Sequence, residues 1–255
     1  MPAEEESLVL SFAMAHFSVH VPGEILEGES LLLDSATAHH LLHVLRVGAG
    51  DRITLFDGKG LRADCALRTD GGRRVEAIPG PVERVPPPQL RPRLLQGLAK
   101  AAAMDDLLRR ATELGVWEIY PLLCRCGDGG LRALKSSSRE TRWRTIAISA
   151  CRQSHNPFLP TIHSPMRPEE VPLLVPSLRI VASLGPDARP WREIVGNFPK
   201  IRDVYLAVGP EGDFSAEELQ WLRRNDFLPL SLGPRTLTAE MAAWALLSAA
   251  QLAWG

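Results

Sequence analysis

Short alternations of apolar and polar residues fill the first third of the chain. After Pro86-Pro87-Pro88 they give way to longer apolar runs separated by amphipathic stretches. In the first part, 31–33, 51–56, 61–67 and 74–78 read as short strands, punctuated by turns at Asp57-Gly58-Lys59-Gly60 and Asp70-Gly71-Gly72. A helix over 37–47 interrupts them. The three prolines predict a stiff, extended connector. Beyond it, strands at 93–98, 117–123, 179–184, 203–208 and 227–232 alternate with helices near 104–114, 139–154, 190–195, 215–224 and 240–254. Such alternation predicts a mainly parallel sheet with helices on both faces. Ser215-Ala216-Glu217-Glu218 is a capping box that fixes one helix start.

Two loops follow buried-looking strands and feed helices: Val208-Gly209-Pro210-Glu211-Gly212-Asp213-Phe214 and Leu232-Gly233-Pro234-Arg235-Thr236-Leu237-Thr238-Ala239-Glu240. Open α/β sheets bind ligands at the carboxyl ends of their strands, so the pair predicts one shared pocket. Glycine at a strand–helix turn commonly cradles phosphate. Here Glu211 and Asp213 stand at the helix entry, no lysine accompanies them, and the spacing fits neither a P-loop nor a dinucleotide fingerprint. A nucleoside held by backbone groups beside a cationic centre suits the loop better, and S-adenosylmethionine has both features.

Composition narrows the class. The chain has 255 residues, 45% apolar and 23% charged, enough for one large domain or two smaller ones. No apolar run approaches the ~18 residues of a membrane span. The acidic start is unlike a secretory signal, and Met14 reads as an alternative start that would leave 1–13 as an extension. Four cysteines in a chain this long imply a reduced, cytoplasmic protein rather than a disulfide framework. Cys124, Cys126, Cys151 and His155 could supply four zinc ligands, but Cys-x-Cys is poor knuckle spacing, and no metal is expected. His39, His40 and His43 share one helix, where only one of the first two can face His43, so structural or RNA-facing histidines are expected. Net charge is −1, yet Arg125, Arg132, Lys135, Arg139, Arg142 and Arg144 form one basic stripe. Arg84, Arg91, Arg93, Lys100, Arg109 and Arg110 form a second group; local stripes of this kind engage phosphates or simply make solvated faces.

Five ordered motifs carry a resemblance to a known family. They are His39-His40-Leu41-Leu42-His43-Val44-Leu45-Arg46 with Gly50-Asp51 and Phe56-Asp57-Gly58; Lys100 with Ala111-Thr112-Glu113-Leu114-Gly115-Val116, Ile119 and Pro121; Gln153-Ser154; and the two Gly-Pro loops. From about His16 to Gln251 the chain resembles the RsmE family, the small-subunit (16S) ribosomal RNA uridine-N3 methyltransferases of the SPOUT superfamily. The resemblance implies an α/β SPOUT domain with a deep trefoil knot over 91–255. It also implies a PUA-like RNA-binding β-barrel domain over 14–85, a linker at 86–90, a homodimer and S-adenosyl-L-methionine as cofactor. By position it implies cofactor contacts from Leu184, at the end of its strand, and from Gly209, Pro210, Glu211, Gly212, Leu232, Gly233 and Leu237. For catalysis it implies Arg235 as the cation that stabilises a uracil imide anion, with Glu211 or Glu240 as proton acceptor. Arg46, Lys100, Arg125 and Arg142 would contact the 16S rRNA or small subunit.

The chain departs from the family pattern at Asp213, which replaces a usual glycine, and over Thr238-Ala239-Glu240-Met241, where an arginine and two threonines are gone. It departs again at Leu122-Leu123-Cys124-Arg125-Cys126-Gly127. These changes give the second reading, a catalytically weak or inactive relative that acts as an RNA- or ribosome-binding module.

Overall fold

The computed structural model describes residues 17–70, 74–127, 137–173 and 176–255. The extension over 1–13, Met14, Gly71-Gly72, Arg132 and Lys135 lie outside the described residues. The chain divides into two compact units, one ending at Pro86 and one beginning at Pro87.

The first unit holds β1 (Phe17–His20), β2 (Leu31–Leu32), α1 (Ser35–His39), a π-helical turn (His40–Val44), β3 (Arg52–Phe56), β4 (Leu61–Thr69) and β5 (Val75–Arg84). The strands form one curled sheet in the order β1-β3-β4-β5-β2, with β1 parallel to β3 and the other pairs antiparallel. Alternate residues of β4 and β5 (Ala63, Cys65, Leu67, Val75, Ala77) face a core closed by Ala38 and Leu41. The helix starts two residues earlier than its pattern predicts, because the Asp34 carboxylate accepts from Ala36 N and Thr37 N, both at 3.0 Å. It then widens into the π turn, which brings the rings of His39 and His43 to 4.7 Å. β5 runs past its predicted end through Pro79 and Pro81, with a bulge opposite at Ala63/Cys65.

The second unit holds β6 (Arg91–Gly97), α2 (Ala101–Glu113), β7 (Glu118–Leu122), α3 (Ser137–Ser154), β8 (Thr161–Ile162), β9 (Leu178–Ala182), β10 (Arg189–Pro190), α4 (Trp191–Asn197), β11 (Asp203–Val208), α5 (Ala216–Arg224), β12 (Leu228–Ser231) and α6 (Ala239–Trp254). Its seven strands are all parallel, in the order β10-β12-β9-β11-β6-β7-β8. The two edge strands, β8 and β10, are only two residues long and carry no alternation for a sequence to reveal. Side chains alternate across the sheet. Leu94, Ile119, Ile180, Val204 and Leu206 pack with α2, α3, α4 and α6 on one face. Leu95, Tyr120, Val181, Tyr205 and Ala207 pack with Leu222 of α5 on the other. Helices therefore cover both faces, which suits parallel strands buried on each side. Among the described residues no helix is long and apolar enough to cross a membrane.

Candidate functional site

The carboxyl ends of β9, β11 and β12 and the first turn of α6 enclose a cavity of about 410 Å³. Both Gly-Pro loops reach it. In the first loop Pro210 O accepts from Asp213 N at 2.9 Å, closing a tight turn. Asp213 sits at φ +60°, a left-handed conformation, and its Oδ1 accepts from Phe214 N at 2.8 Å. That explains why a glycine-favouring position tolerates aspartate. Ser215 then caps α5, and Glu218 returns the bond by accepting from Ser215 N at 2.7 Å. The other oxygen of this buried carboxylate accepts from Arg125 N at 2.9 Å. Glu218 thus ties the segment after β7 to the loop after β11.

Two glycines allow this close packing. A Cβ on Gly97, at the end of β6, would lie 2.6 Å from Pro210 Cδ and 2.8 Å from Gly209 C. A Cβ on Gly212 would lie 2.6 Å from Cys126 O. Gly212 therefore faces the segment after β7 and is not on the cavity wall. The other residues assigned to the cofactor, Leu184, Gly209, Pro210, Glu211, Leu232, Gly233 and Leu237, all line the cavity. Leu184 does not end its strand as predicted. The ladder stops at Ser183, whose N donates to Leu230 O and whose Oγ accepts from Gly185 N at 3.0 Å, turning the chain. Leu184 is left in the loop, 69% exposed, on the cavity rim.

Arg235, Glu211 and Glu240 share the same wall. Arg235 is exposed and makes no ion pair among the described residues. Glu211 lies 3.8 Å from Lys100 Nζ, an exposed pair of little energetic weight. Glu240 occupies the first turn of α6, where a carboxylate complements the helix dipole. Thr238, where the resemblance leads to the expectation of an arginine, is the N-cap of α6 and accepts from Met241 N at 3.3 Å. The sequence reading missed Ser183, Asp213 and Thr236 on the wall. Position at a strand's carboxyl end was the available signal for Ser183; the others belong to the recognised loops.

The expected RNA contacts of the second unit are each paired with a carboxylate. Lys100 stands beside Glu211, Arg125 pairs with Glu217 at 3.4 Å, and Arg142 grips Asp105 through Nε at 2.9 Å. Arg46 is exposed in the first unit. Of the second basic group, Arg93 is not on the surface: it is buried between Glu118 (2.8 Å) and Asp203 (2.6 Å), a charge paired on both sides. Glu118 also accepts from Tyr120 and bonds His163 at 2.8 Å. Burial opposes its charge, but the bonds from Tyr120, His163 and Arg93 outweigh this and hold its carboxyl below the usual range. Cys65, Cys124 and Cys151 are buried and Cys126 is exposed. Among the described residues no group of three or more His, Cys, Asp or Glu could hold a metal.

Residues 86–251 match the family described as RNA methyltransferase domain, and residues 33–79 match the RNA methyltransferase PUA domain. The chain belongs to the RNA methyltransferase family. Its catalytic match covers both Gly-Pro loops and the whole cavity wall. Among its relatives, the ribosomal RNA small subunit methyltransferase E of Synechocystis is 29% identical over 95% of this chain and 78% of that protein. The Bacillus subtilis protein of the same name is 26% identical, over 82% and 85%. Among solved structures, ribosomal RNA small subunit methyltransferase E from Neisseria gonorrhoeae, bound to S-adenosyl methionine, superposes with a TM-score of 0.82 at 29% identity, covering 94% of this chain and 98% of that one. A methyltransferase from Legionella pneumophila in complex with SAM also gives 0.82 at 29% identity, over 95% and 99%.

Proposed function

We propose that this RNA methyltransferase transfers a methyl group from S-adenosylmethionine to N3 of a uridine in small-subunit (16S) ribosomal RNA, acting in the cytoplasm as a homodimer. The observation that carries the reading is the convergence of both Gly-Pro loops on one cavity that also holds Arg235, Glu211 and Glu240. The relatives and the S-adenosyl-methionine-bound neighbour support the substrate and cofactor.

The cavity fits the cofactor. Its ~410 Å³ falls within the ~300–1,000 Å³ of small-molecule sites. Apolar walls from Val208, Leu232 and Leu237 suit an adenine. The carboxylates of Glu211, Asp213 and Glu240 favour a sulfonium and disfavour a phosphate. When bound, the cofactor supplies an electrophilic methyl group. The chain's own residues supply the rest. The N3–H of uridine must be lost before or during attack, so Glu211 or Glu240 accepts that proton. Arg235, at the rim and without an ion pair among the described residues, stabilises the imide anion as it forms. Backbone groups of the two loops orient the reactants, and positioning carries much of the rate. The trefoil knot, the domain limits and the PUA-like unit as an RNA holder belong to the same proposal.

The decisive experiment maps modified nucleosides in ribosomal RNA from a strain lacking the gene and from one carrying Arg235→Ala. Loss of 3-methyluridine in both, with cofactor affinity retained in the variant, is expected. Persistence of 3-methyluridine in the deletion strain would refute the substrate. Calorimetry with S-adenosylmethionine tests the cofactor separately, and light scattering in solution tests the dimer.

A further inference from the structure

We propose that the amino-terminal edge of the seven-stranded sheet is a second RNA-binding surface, a cationic ridge that holds the sugar-phosphate backbone away from the methyl-transfer cavity. The ridge is the segment Lys200-Ile201-Arg202, which leads into β11. On one side it borders a cavity of about 500 Å³ lined also by Arg179, Leu178, Phe198 and Asp226. On the other it borders an open groove of about 800 Å³ lined by Arg91, Pro88 and Trp254. Arg91 N donates to Arg202 O at 2.6 Å, so the flank and the ridge are one structure. All strands of this sheet are parallel, so this edge and the methyl-transfer cavity lie at opposite ends of the same strands. The length of β11 separates them, about 20 Å at ~3.3 Å per residue.

Charge balance singles the ridge out. Lys100, Arg125 and Arg142 each have a carboxylate within ion-pair reach. Lys200 is exposed and has no ion pair among the described residues. Arg202 is 65% exposed, and its one ion-pair partner among the described residues, Asp203, is 4.0 Å away. Asp203 is itself engaged by the buried Arg93 at 2.6 Å. Asp226 is the other acidic side chain lining either space. Arg91, Arg179, Lys200 and Arg202 therefore outnumber the carboxylates available to them.

A second observation points the same way. Arg91 and Arg179, which flank the ridge on either side, each carry a buried Nε–H with no acceptor among the described residues, and the Arg91 guanidinium lies over the Trp117 ring, 4.8 Å from its centroid. Arg179 Nη1 donates to Asn225 O at 2.9 Å. Those Nε–H groups are buried out of a phosphate's reach, so what the two arginines add is charge on the groove walls, where guanidinium groups favour phosphate oxygens. Two open grooves either side of a cationic ridge suit an extended polyanion better than a small anion, and the family acts on RNA.

The test uses the full-length protein and labelled small-subunit ribosomal RNA. The double variant Lys200→Ala/Arg202→Ala changes exposed side chains remote from the methyl-transfer cavity. Affinity is measured at several salt concentrations. Removing one cation that neutralises a phosphate lowers the slope of log affinity against log salt by ~0.7–0.9. The slope is expected to fall by about 1.4–1.8 when both cations are removed, while calorimetric affinity for S-adenosylmethionine stays unchanged. A charge-reversed pair, Lys200→Glu/Arg202→Glu, is expected to weaken RNA binding further. An unchanged slope in both variants overturns the ridge, as does a fall in RNA affinity matched by an equal fall in cofactor affinity. Failure of the unaltered protein to bind this RNA would instead defeat the substrate assignment, so the two are distinguishable.

Discussion

Glu218 offers the sharpest test of how the site is held together. Its side chain is buried and accepts from Ser215 N at 2.7 Å and from Arg125 N at 2.9 Å. The first bond closes the cap of α5; the second fastens the segment after β7, whose Cys126 carbonyl packs on Gly212. Glu218→Ala leaves two backbone donors without an acceptor. An unsatisfied donor costs ~1–3 kcal/mol when fully buried; both bonds are part-buried and one loss overlaps with the lost cap, so a total of about 1–3 kcal/mol is expected. Glu218→Gln retains one acceptor oxygen but turns an amide N–H toward the other donor, and should lose about half as much.

The assay is urea unfolding of the three proteins together with calorimetric cofactor titration. The first loop sits between these two anchors, so its disorder must be reversed on binding. Each ~1.4 kcal/mol used in that way lowers affinity tenfold, and a loss of about tenfold is expected for the alanine variant. A stability change under ~0.5 kcal/mol, the level of an ordinary surface substitution, would refute the clamp. A large stability loss with unaltered cofactor affinity would leave Glu218 a helix cap with no hold on the site.

Local geometry makes three other variants and probes informative. Gly97→Ala sets a methyl group against Pro210 Cδ at 2.6 Å and the Gly209 carbonyl carbon at 2.8 Å, so the loop must shift; cofactor affinity should fall by more than about tenfold while far-ultraviolet circular dichroism is kept, and normal affinity would show that the loop yields. Burial pushes the Cys65 thiol up to about 11 and the Cys151 thiol up to about 12, and raises Cys124 strongly, whereas Cys126 is exposed. A maleimide near neutral pH should therefore label one thiol in the native protein and four after unfolding, and fast labelling of a second native thiol would contradict the packing. Glu118 has a depressed carboxyl, so it stabilises the fold above the unfolded value of ~4.3, and that contribution is lost as pH falls through its folded value. Glu118→Gln should be less stable than the parent near neutral pH, with the gap closing below pH ~4; a gap independent of pH would sink the idea.

Much of the second unit was legible because parallel strands buried on both faces read as continuous apolar runs. The predicted strand at 203–208 matches β11 residue for residue, and Ser215 caps α5 as its motif requires. What stayed hidden had no local signature. β8 and β10 are two residues long and exist only through pairing with longer neighbours. The π turn at His40–Val44 keeps helical periodicity while changing its hydrogen bonds. β5 passes through two prolines, which a propensity argument rejects, because a bulge in β4 absorbs the mismatch. At the site, the loops that form the cavity could be named from glycine and proline alone. The facing of Gly212 toward Cys126 could not, since it depends on a contact across roughly eighty-five positions of sequence. Arg93 shows the same limit for charge: composition reads it as a surface cation, whereas Glu118 and Asp203 on neighbouring strands make it an internal pair.

The chain's departures from its family's pattern change charge more than backbone shape. Asp213 occupies a left-handed position that glycine usually fills, and its own side chain bonds Phe214 N to stabilise the turn. Thr238 gives up a cation but caps α6, and Ala239 is buried behind it. Both substitutions keep the loops in place around the cavity. Together they shift the balance of the wall to Glu211, Asp213 and Glu240 against Arg235. A site so weighted favours a cationic ligand and offers little to a phosphate. RNA held there by its base must therefore be gripped elsewhere by its backbone, and the cations in excess at the opposite edge of the sheet are suited to that task.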